Sequence, residues 1–271
     1  MGAGWLRVAV LACSFAASAA VAATDFFPHL AGAYLVQVGG RDLWAGHADA
    51  RLSPASLTKI MTALVVLDDY HPQDVITVSE SAARATGSRL RLGAGDKFTV
   101  QALLTATLIA SANDACAALA ESAAGSVEAF VARMNERARS LGLANTHFAN
   151  PCGLDAPAHH SSANDLARIT HAALDRAEFA DLVAKPQAHI ATIDGKRRFQ
   201  FKNKNALIGS YAPAIGVKSG YTSRAGKCLI VLAQKDGVRV MLVMLNAKSR
   251  WWDAIGVIEN AFDHARVNVA Q

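Results

Sequence analysis

The sequence predicts an α/β fold of the α+β type: an antiparallel sheet with flanking helices and an inserted helical region. Three observations predict it. Segments of period-two hydrophobic alternation, the mark of half-buried strands, stand near both ends of the chain. Between them, from about residue 75 to 166, the pattern is mostly helical. Tight-turn signals at Gly39-Gly40 and Asp236-Gly237 join neighbouring strands as hairpins, which pair antiparallel. Strands at both ends with helices between them imply a sheet assembled from distant segments. The chain has 271 residues, 52% hydrophobic and 18% charged. That is enough apolar material for a substantial core, in one large or two small domains, and it argues against low-complexity disorder. The net charge of +5 suits an anionic partner without identifying one.

Met1 to Ala23 carries one charge, Arg7, then the apolar run Val8 to Ala17, then the small residues Ala20-Val21-Ala22-Ala23. This is the layout of a signal peptide over residues 1–23, cut after Ala22 or Ala23. The unbroken apolar run is shorter than the ~20 residues a membrane-spanning helix needs. The mature domain is then 24–271, and no second long apolar segment follows, so the sequence offers no obvious membrane anchor. Cys13 falls within the signal. Cys116, Cys152 and Cys228 have no metal-ligand spacing, and one disulfide is possible outside the cytoplasm without the sequence choosing its pair. Cys116, in Ala115-Cys-Ala-Ala-Leu, reads as a small buried hydrophobe.

Ala33 to Val38 reads as a strand and Arg41 to Ala45 as its return. Ser53-Pro54 reads as an N-cap followed by proline at the first helical position, opening a helix that stops near His71-Pro72. Val100 to Ala110 is apolar nearly all round, as in a buried helix. Val127 to Leu141 is an amphipathic helix ending at Gly142. Period two returns at 189–193, 197–202, 214–218, 228–234 and 238–245, and a helix over about 250–266 closes the chain.

Three short elements carry chemistry. In Ser56-Leu-Thr-Lys59, residues three apart on a helix share a face, so the lysine nitrogen reaches the serine hydroxyl. Ser56 would sit in the first turn, where the helix dipole favours an alkoxide. Lys59 must be neutral to take a proton, which burial or a nearby cation achieves. With 17 serines and 10 lysines in the chain, about 0.6 such pairs are expected by chance, so this motif alone is weak. Ser111-Ala112-Asn113 follows the buried helix and could bridge a lysine and a substrate carbonyl; the bland alternative is a cap for the stretch to Ala124. Ser162-Ala163-Asn164 repeats the triplet but reads more simply as the cap of a helix at 164–175. Lys218-Ser219-Gly220 ends a strand. There a cation and a hydroxyl can hold a carboxylate, and the glycine leaves room for an extended substrate to pair.

Together, in this order, the three elements resemble those of the penicillin-binding proteins and serine β-lactamases. The surroundings look closest to the low-molecular-mass D-alanyl-D-alanine carboxypeptidases. The matching stretches are Pro54 to Ala63, Ser111 to Ala115, Met134-Asn135 with Leu141-Gly142-Leu143, and Gly216 to Thr222. The resemblance covers about residues 30 to 265. It implies a β-lactamase/transpeptidase-like fold, with Ser56 as acylated nucleophile, Lys59 as general base and Ser111 as proton relay. Asn113 would hold the substrate amide, while Lys218 and Ser219 would bind the terminal carboxylate. The N–H groups of Ser56 and Tyr221 would form an oxyanion hole beside Gly220, with Arg250 as a further cation. Partners implied are peptidoglycan stem peptides and β-lactam antibiotics, in the periplasm or another extracytoplasmic setting, with no cofactor, metal or nucleic acid. Ser219 stands where the family usually has threonine, losing a methyl that restricts the rotamer. The β-rich second domain and amphipathic C-terminal helix of many members do not follow residue 271.

Rival readings remain at this stage. A D,D-endopeptidase would use the same residues on crosslinks. A β-lactamase needs a carboxylate to activate the deacylating water; Asp155, Asp165, Asp175, Glu178 and Asp181 are on offer, none in a Glu-x-x-Leu-Asn setting. A non-catalytic wall-binding or penicillin-sensing protein would keep the groove only. The basic run Lys196 to Lys204 reads as a solvated face rather than a nucleic-acid patch. His147 and His159-His160 lack the helical spacing and glutamate of a zinc-peptidase motif.

Overall fold

A computed structural model describes residues 26–269; the segment 1–23, expected to be a signal peptide and containing Cys13, lies outside the described residues. The sheet is antiparallel throughout, with five strands in the order β2-β1-β9-β8-β7. These are β1 (Ala31–Val38), β2 (Arg41–Gly46), β7 (Ala214–Thr222), β8 (Gly226–Lys235) and β9 (Val238–Ala247). The first strand therefore pairs with the last, and β7 is left as an edge. The turns form where their residues permit: Gly39 and Gly40 have φ of 56° and 80°, Asp236 and Gly237 of 50° and 79°. Positive φ at both central positions is the hairpin geometry whose twist matches the strands.

Strand alternation sends side chains to two cores. On one face Tyr34, Val36, Val231 and Leu242 pack against Ala254, Ile258 and Phe262 of the closing helix α8 (Trp251–Val269). On the other, Leu35, Ile230 and Val243 face the larger core built around α1 (Lys59–Asp69). Every residue of α1 from Lys59 to Leu67 is buried. This helix starts at the groove and runs into the protein interior.

The stretch 75–166 holds β3 (Val75–Thr77) paired with β4 (Lys97–Thr99), and helices α2 (Glu80–Ala83), α3 (Val100–Ile109), α4 (Asn113–Ala124) and α5 (Val127–Ser140). A loop over 141–162 leads to α6 (Ala163–Leu174), capped by Ser162, whose Oγ accepts from Asp165 N. After α7 (Ala177–Val183), β5 (Gln187–Ala191) and β6 (Arg198–Lys202) form a hairpin. In the basic run, Arg198, Gln200 and Lys202 are exposed while Phe199 and Phe201 turn toward the core, the pattern of a solvated face.

Two expectations are corrected. Ser53 does not cap a helix. Ala55, at φ 47°, turns the chain into a 3-10 turn, Ala55–Thr58, that precedes α1, and Ser53 Oγ lies 3.5 Å from Asp155 Oδ1 instead. Cys116 is buried, as a small hydrophobe would be, but it is not a free thiol. The loop 141–162 folds over α4 and brings Cys152 to a Cα–Cα distance of 6.0 Å, where the two form a disulfide. Cys228 remains free and buried.

Candidate active site

Ser56 sits in the 3-10 turn, where side chains three residues apart eclipse one another. Lys59, the first residue of α1, accordingly places Nζ 3.0 Å from Ser56 Oγ. Ser56 is partly exposed and Lys59 is fully buried. Nζ also donates to Asn113 Oδ1 at 2.8 Å and to the carbonyl of Cys152 at 2.5 Å. A neutral amine has two N–H donors and one lone pair. With both donors engaged by these acceptors, the lone pair is left for the Ser56 hydroxyl. Burial, and then the charge of Lys218, hold Lys59 well below the ordinary lysine value. No carboxylate contacts either Ser56 or Lys59 among the described residues.

The second element lies in the connection between α3 and α4. Ser111 has φ 58°, a conformation disfavoured for a residue with a side chain and one that marks a locally imposed geometry. It is not a helix cap: Ala112 holds that position, and Ser111 Oγ accepts from Lys218 Nζ at 2.9 Å. Asn113 is turned inward, its Oδ1 on Lys59 and its Nδ2 donating to the carbonyl of Thr86 at 2.6 Å.

The third element is on the edge strand β7. Lys218 is 1% exposed, and burial, then Arg250, then Lys204, lower its pKa to about 7. Ser219 Oγ donates to the carbonyl of Lys204 at 2.9 Å. Gly220 faces the 3-10 turn so closely that a Cβ there would stand 2.9 Å from Ser56 N and 3.0 Å from Ala55 Cβ. This approach sets the N–H of Ser56 beside the strand that carries the N–H of Tyr221, whose side chain is exposed. Arg250 lies behind the strand, stacked on Trp251, with Nη1 donating to the carbonyl of Gly220 at 2.8 Å. Nη1 thus braces β7, while the buried Nε has no hydrogen-bond partner among the described residues. All nine residues singled out in the sequence meet around this groove.

Sequence reasoning missed the groups supplied by the loop 141–162. Cys152 contributes a backbone carbonyl, which no side-chain motif announces. Gly153, at φ 82°, passes so near the Ala55 carbonyl that a Cβ would fall 1.9 Å from its oxygen. His159 is buried, its Nδ1 accepting from Ala149 N, so Nε2 carries the proton toward Thr58 Oγ1 at 2.8 Å. Burial lowers its pKa to about 4, and His147 and His160 add to the effect. The pattern Ser-Leu-Thr-Lys hinted at Thr58, but its partner lies 101 residues away. Asp155 is held by Thr222 Oγ1 at 2.7 Å, and Asp165 accepts from Asn145 N and Thr146 Oγ1. A cavity of about 750 Å³ elsewhere, between Gly39, Arg41, His171 and His264, holds none of the motif residues.

Comparison with known proteins bears on the family and the fold. The sequence model of the peptidase S11 family, described as D-alanyl-D-alanine carboxypeptidase, matches residues 29–249. The D-alanyl-D-alanine carboxypeptidase DacF of Bacillus subtilis is 37% identical over 215 residues, 78% of this chain and 55% of that one. DacC of Escherichia coli is 37% identical over 222 residues, 78% of this chain and 54% of that one. The chain thus spans about half the length of these two relatives. The crystal structure of the Streptomyces K15 DD-transpeptidase superposes with a TM-score of 0.82 at 32% identity, over 89% of this chain and 99% of that one. No single helix among the described residues is long and apolar enough to cross a membrane. On sequence match and architecture alike, the chain belongs to the D-alanyl-D-alanine carboxypeptidase family.

Proposed function

We propose that this protein is an exported serine D-alanyl-D-alanine carboxypeptidase acting on peptidoglycan stem peptides, and that β-lactams acylate the same serine. The observation that carries the reading is the buried Lys59 amine, 3.0 Å from Ser56 Oγ with its other hydrogen bonds already satisfied. Ser56 Oγ attacks the carbonyl carbon of the penultimate D-alanine while its proton passes to Lys59 Nζ. The oxyanion is met by the N–H groups of Ser56 and Tyr221. The C–N bond then breaks as the proton held by Lys59 passes through Ser111 to the leaving amine, while Lys218 keeps its own proton and holds the Ser111 hydroxyl in place. The terminal carboxylate lies against Lys218 and Ser219, with the peptide extended along β7 past Gly220. Water then gives one proton to the neutral Lys59 as its oxygen adds to the ester carbonyl, and Lys59 returns that proton to Ser56 Oγ as the acyl group leaves.

The absence of any carboxylate contact to Ser56 or Lys59 among the described residues favours slow loss of a penicilloyl group over β-lactamase turnover. Intact-mass spectrometry with benzylpenicillin tests this. A lasting adduct is expected on the wild type and none on Ser56→Ala, with release of D-alanine from a D-alanyl-D-alanine peptide by the wild type alone. Consumption of the drug without an adduct would replace the reading by that of a β-lactamase.

A further inference from the structure

The disulfide closes on the same lysine that the site buries. Asn113 and Cys116 are three residues apart on α4 and share a face. Cys152 belongs to the loop 141–162. From one segment Lys59 Nζ takes Asn113 Oδ1 as acceptor, and from the other the carbonyl of Cys152. The bond between Cys116 and Cys152 joins these two segments within one helical turn of one acceptor and at the very residue of the other. Cys152 Sγ also lies 3.8 Å from the carbonyl oxygen of Asn113. Next to Cys152, Thr62 Oγ1 donates to the carbonyl of Pro151, and Asn150 Oδ1 accepts from the N–H groups of Cys152, Gly153 and Leu154; farther along the loop, Asn135, Thr222 and Thr58 hold Phe148, Asp155 and His159. The Thr62 contact reaches α1 and the Asn150 contacts stay within the loop. Apart from Lys59 itself, whose Nζ donates to both acceptors, it is the disulfide that ties the residue bearing the Cys152 carbonyl to the helix bearing the Asn113 amide.

We infer that the Cys116–Cys152 disulfide is a positioning device for Lys59: it fixes the two acceptors that leave the lysine lone pair aimed at Ser56, making activation of the nucleophile depend on the oxidised state. This rests on the reading of Ser56 as the acylated residue and Lys59 as its base. Without the bond, the Cys152 carbonyl is free to withdraw, water reaches Nζ, and the lone pair loses its direction. The charged or titratable groups facing Lys59 are Lys218 from β7 and His159 from the loop. Neither favours its ammonium form, so burial and direction are what the bond protects. Greater hydration would move Lys59 back toward its ordinary value.

The test compares wild type with Cys116→Ala/Cys152→Ala and Cys116→Ser/Cys152→Ser, measuring the benzylpenicillin acylation rate against pH and thermal unfolding in parallel. In the folded variants the rate constant at neutral pH is expected to fall roughly ten- to a hundred-fold, and its rising limb to move to higher pH. Unchanged rate and limb in folded variants, with only a lower melting temperature, would reduce the bond to a structural staple and overturn the inference. Should the variants not fold, a dithiol reductant decides on the wild type. It passes two electrons and two protons to the bond, leaving two thiols and an oxidised cyclic dithiol. Loss of acylation on reduction and its recovery on reoxidation support the inference; full activity in protein shown by mass to be reduced overturns it. A wild type that is never acylated would instead be a failure of the Ser56 reading.

Discussion

Lys218 Nζ donates to Ser111 Oγ at 2.9 Å across 107 residues of sequence, joining the edge strand β7 to the start of α4. A buried cation on one wall of the groove is thereby tied to a hydroxyl on the other, and a substrate carboxylate would add to the same cation. The bond makes the protonation of Lys218 a property of the whole groove.

Activity should therefore be bell-shaped in pH. In the proposed mechanism Lys59 works neutral, so the rate rises as pH passes its lowered pKa. Lys218 binds carboxylate as the ammonium, which is present below about pH 7 in the free protein and lost above it. In Lys218→Arg the absolute kcat/KM falls because the larger head must fit a closed space, but guanidinium keeps its proton. The alkaline limb should then leave the neutral range. A limb that stays near pH 7 in this variant would assign it to another group.

Gly220→Ala puts a methyl 2.9 Å from Ser56 N and 3.0 Å from Ala55 Cβ. The strand must back away from the 3-10 turn, separating the two N–H groups of the proposed oxyanion hole. Acylation by benzylpenicillin should slow about a hundred-fold or more, at a stability cost of about 1–3 kcal/mol. Equal rates would mean that the two N–H groups do not act together.

His159 contributes a pH-dependent term to stability. Its folded pKa, about 4, lies below the ordinary histidine value of 6.5, so the unfolded chain binds more protons between those values. The contribution is present above pH 6.5 and is lost as pH falls through about 4. It amounts to about 3 kcal/mol. Urea unfolding of the wild type and His159→Gln at pH 7 and pH 4 should show a smaller loss in the variant. Parallel losses would place the acid sensitivity in the carboxylates.

Cys228 should be inert while the protein is folded. Burial pushes its thiol up to about 11, and the residue is inaccessible. Maleimide should leave the native protein unlabelled at Cys228 and react there after denaturation. Cys116 and Cys152 should label only when a reductant is added as well. Labelling of either without reductant would contradict the disulfide.

The parts of the site that were legible in the sequence are those in which a motif is its own geometry. Ser56 and Lys59 are fixed relative to one another by three residues of backbone, and Lys218, Ser219 and Gly220 by one strand. What was not legible is contributed by backbone or by pairs distant in the chain. The Cys152 carbonyl has no residue signature, and the contact of Thr58 with His159 depends on how a long loop packs. The cap assigned to Ser53 failed because Ala55 takes a positive φ, which propensity does not foresee in alanine. Strand β7 runs on to Thr222, past the predicted end at residue 218, because Gly220 and the exposed Tyr221 interrupt the alternation while the backbone pairing with β8 continues.

The order of the sheet has a consequence for when the groove comes into being. Strand β7 is hydrogen-bonded only to β8 among the strands of that sheet, β8 to β9, and β9 to the first strand of the chain. In the completed sheet, the strand that carries Lys218 is backed by strands that extend to Ala247. A nascent chain that has already folded Ser56 into the 3-10 turn and Lys59 into α1 is still missing the strand that carries Lys218. Such non-local pairing is slow to form. In the proposed mechanism, Ser56 is thus in the chain long before the wall that completes its groove.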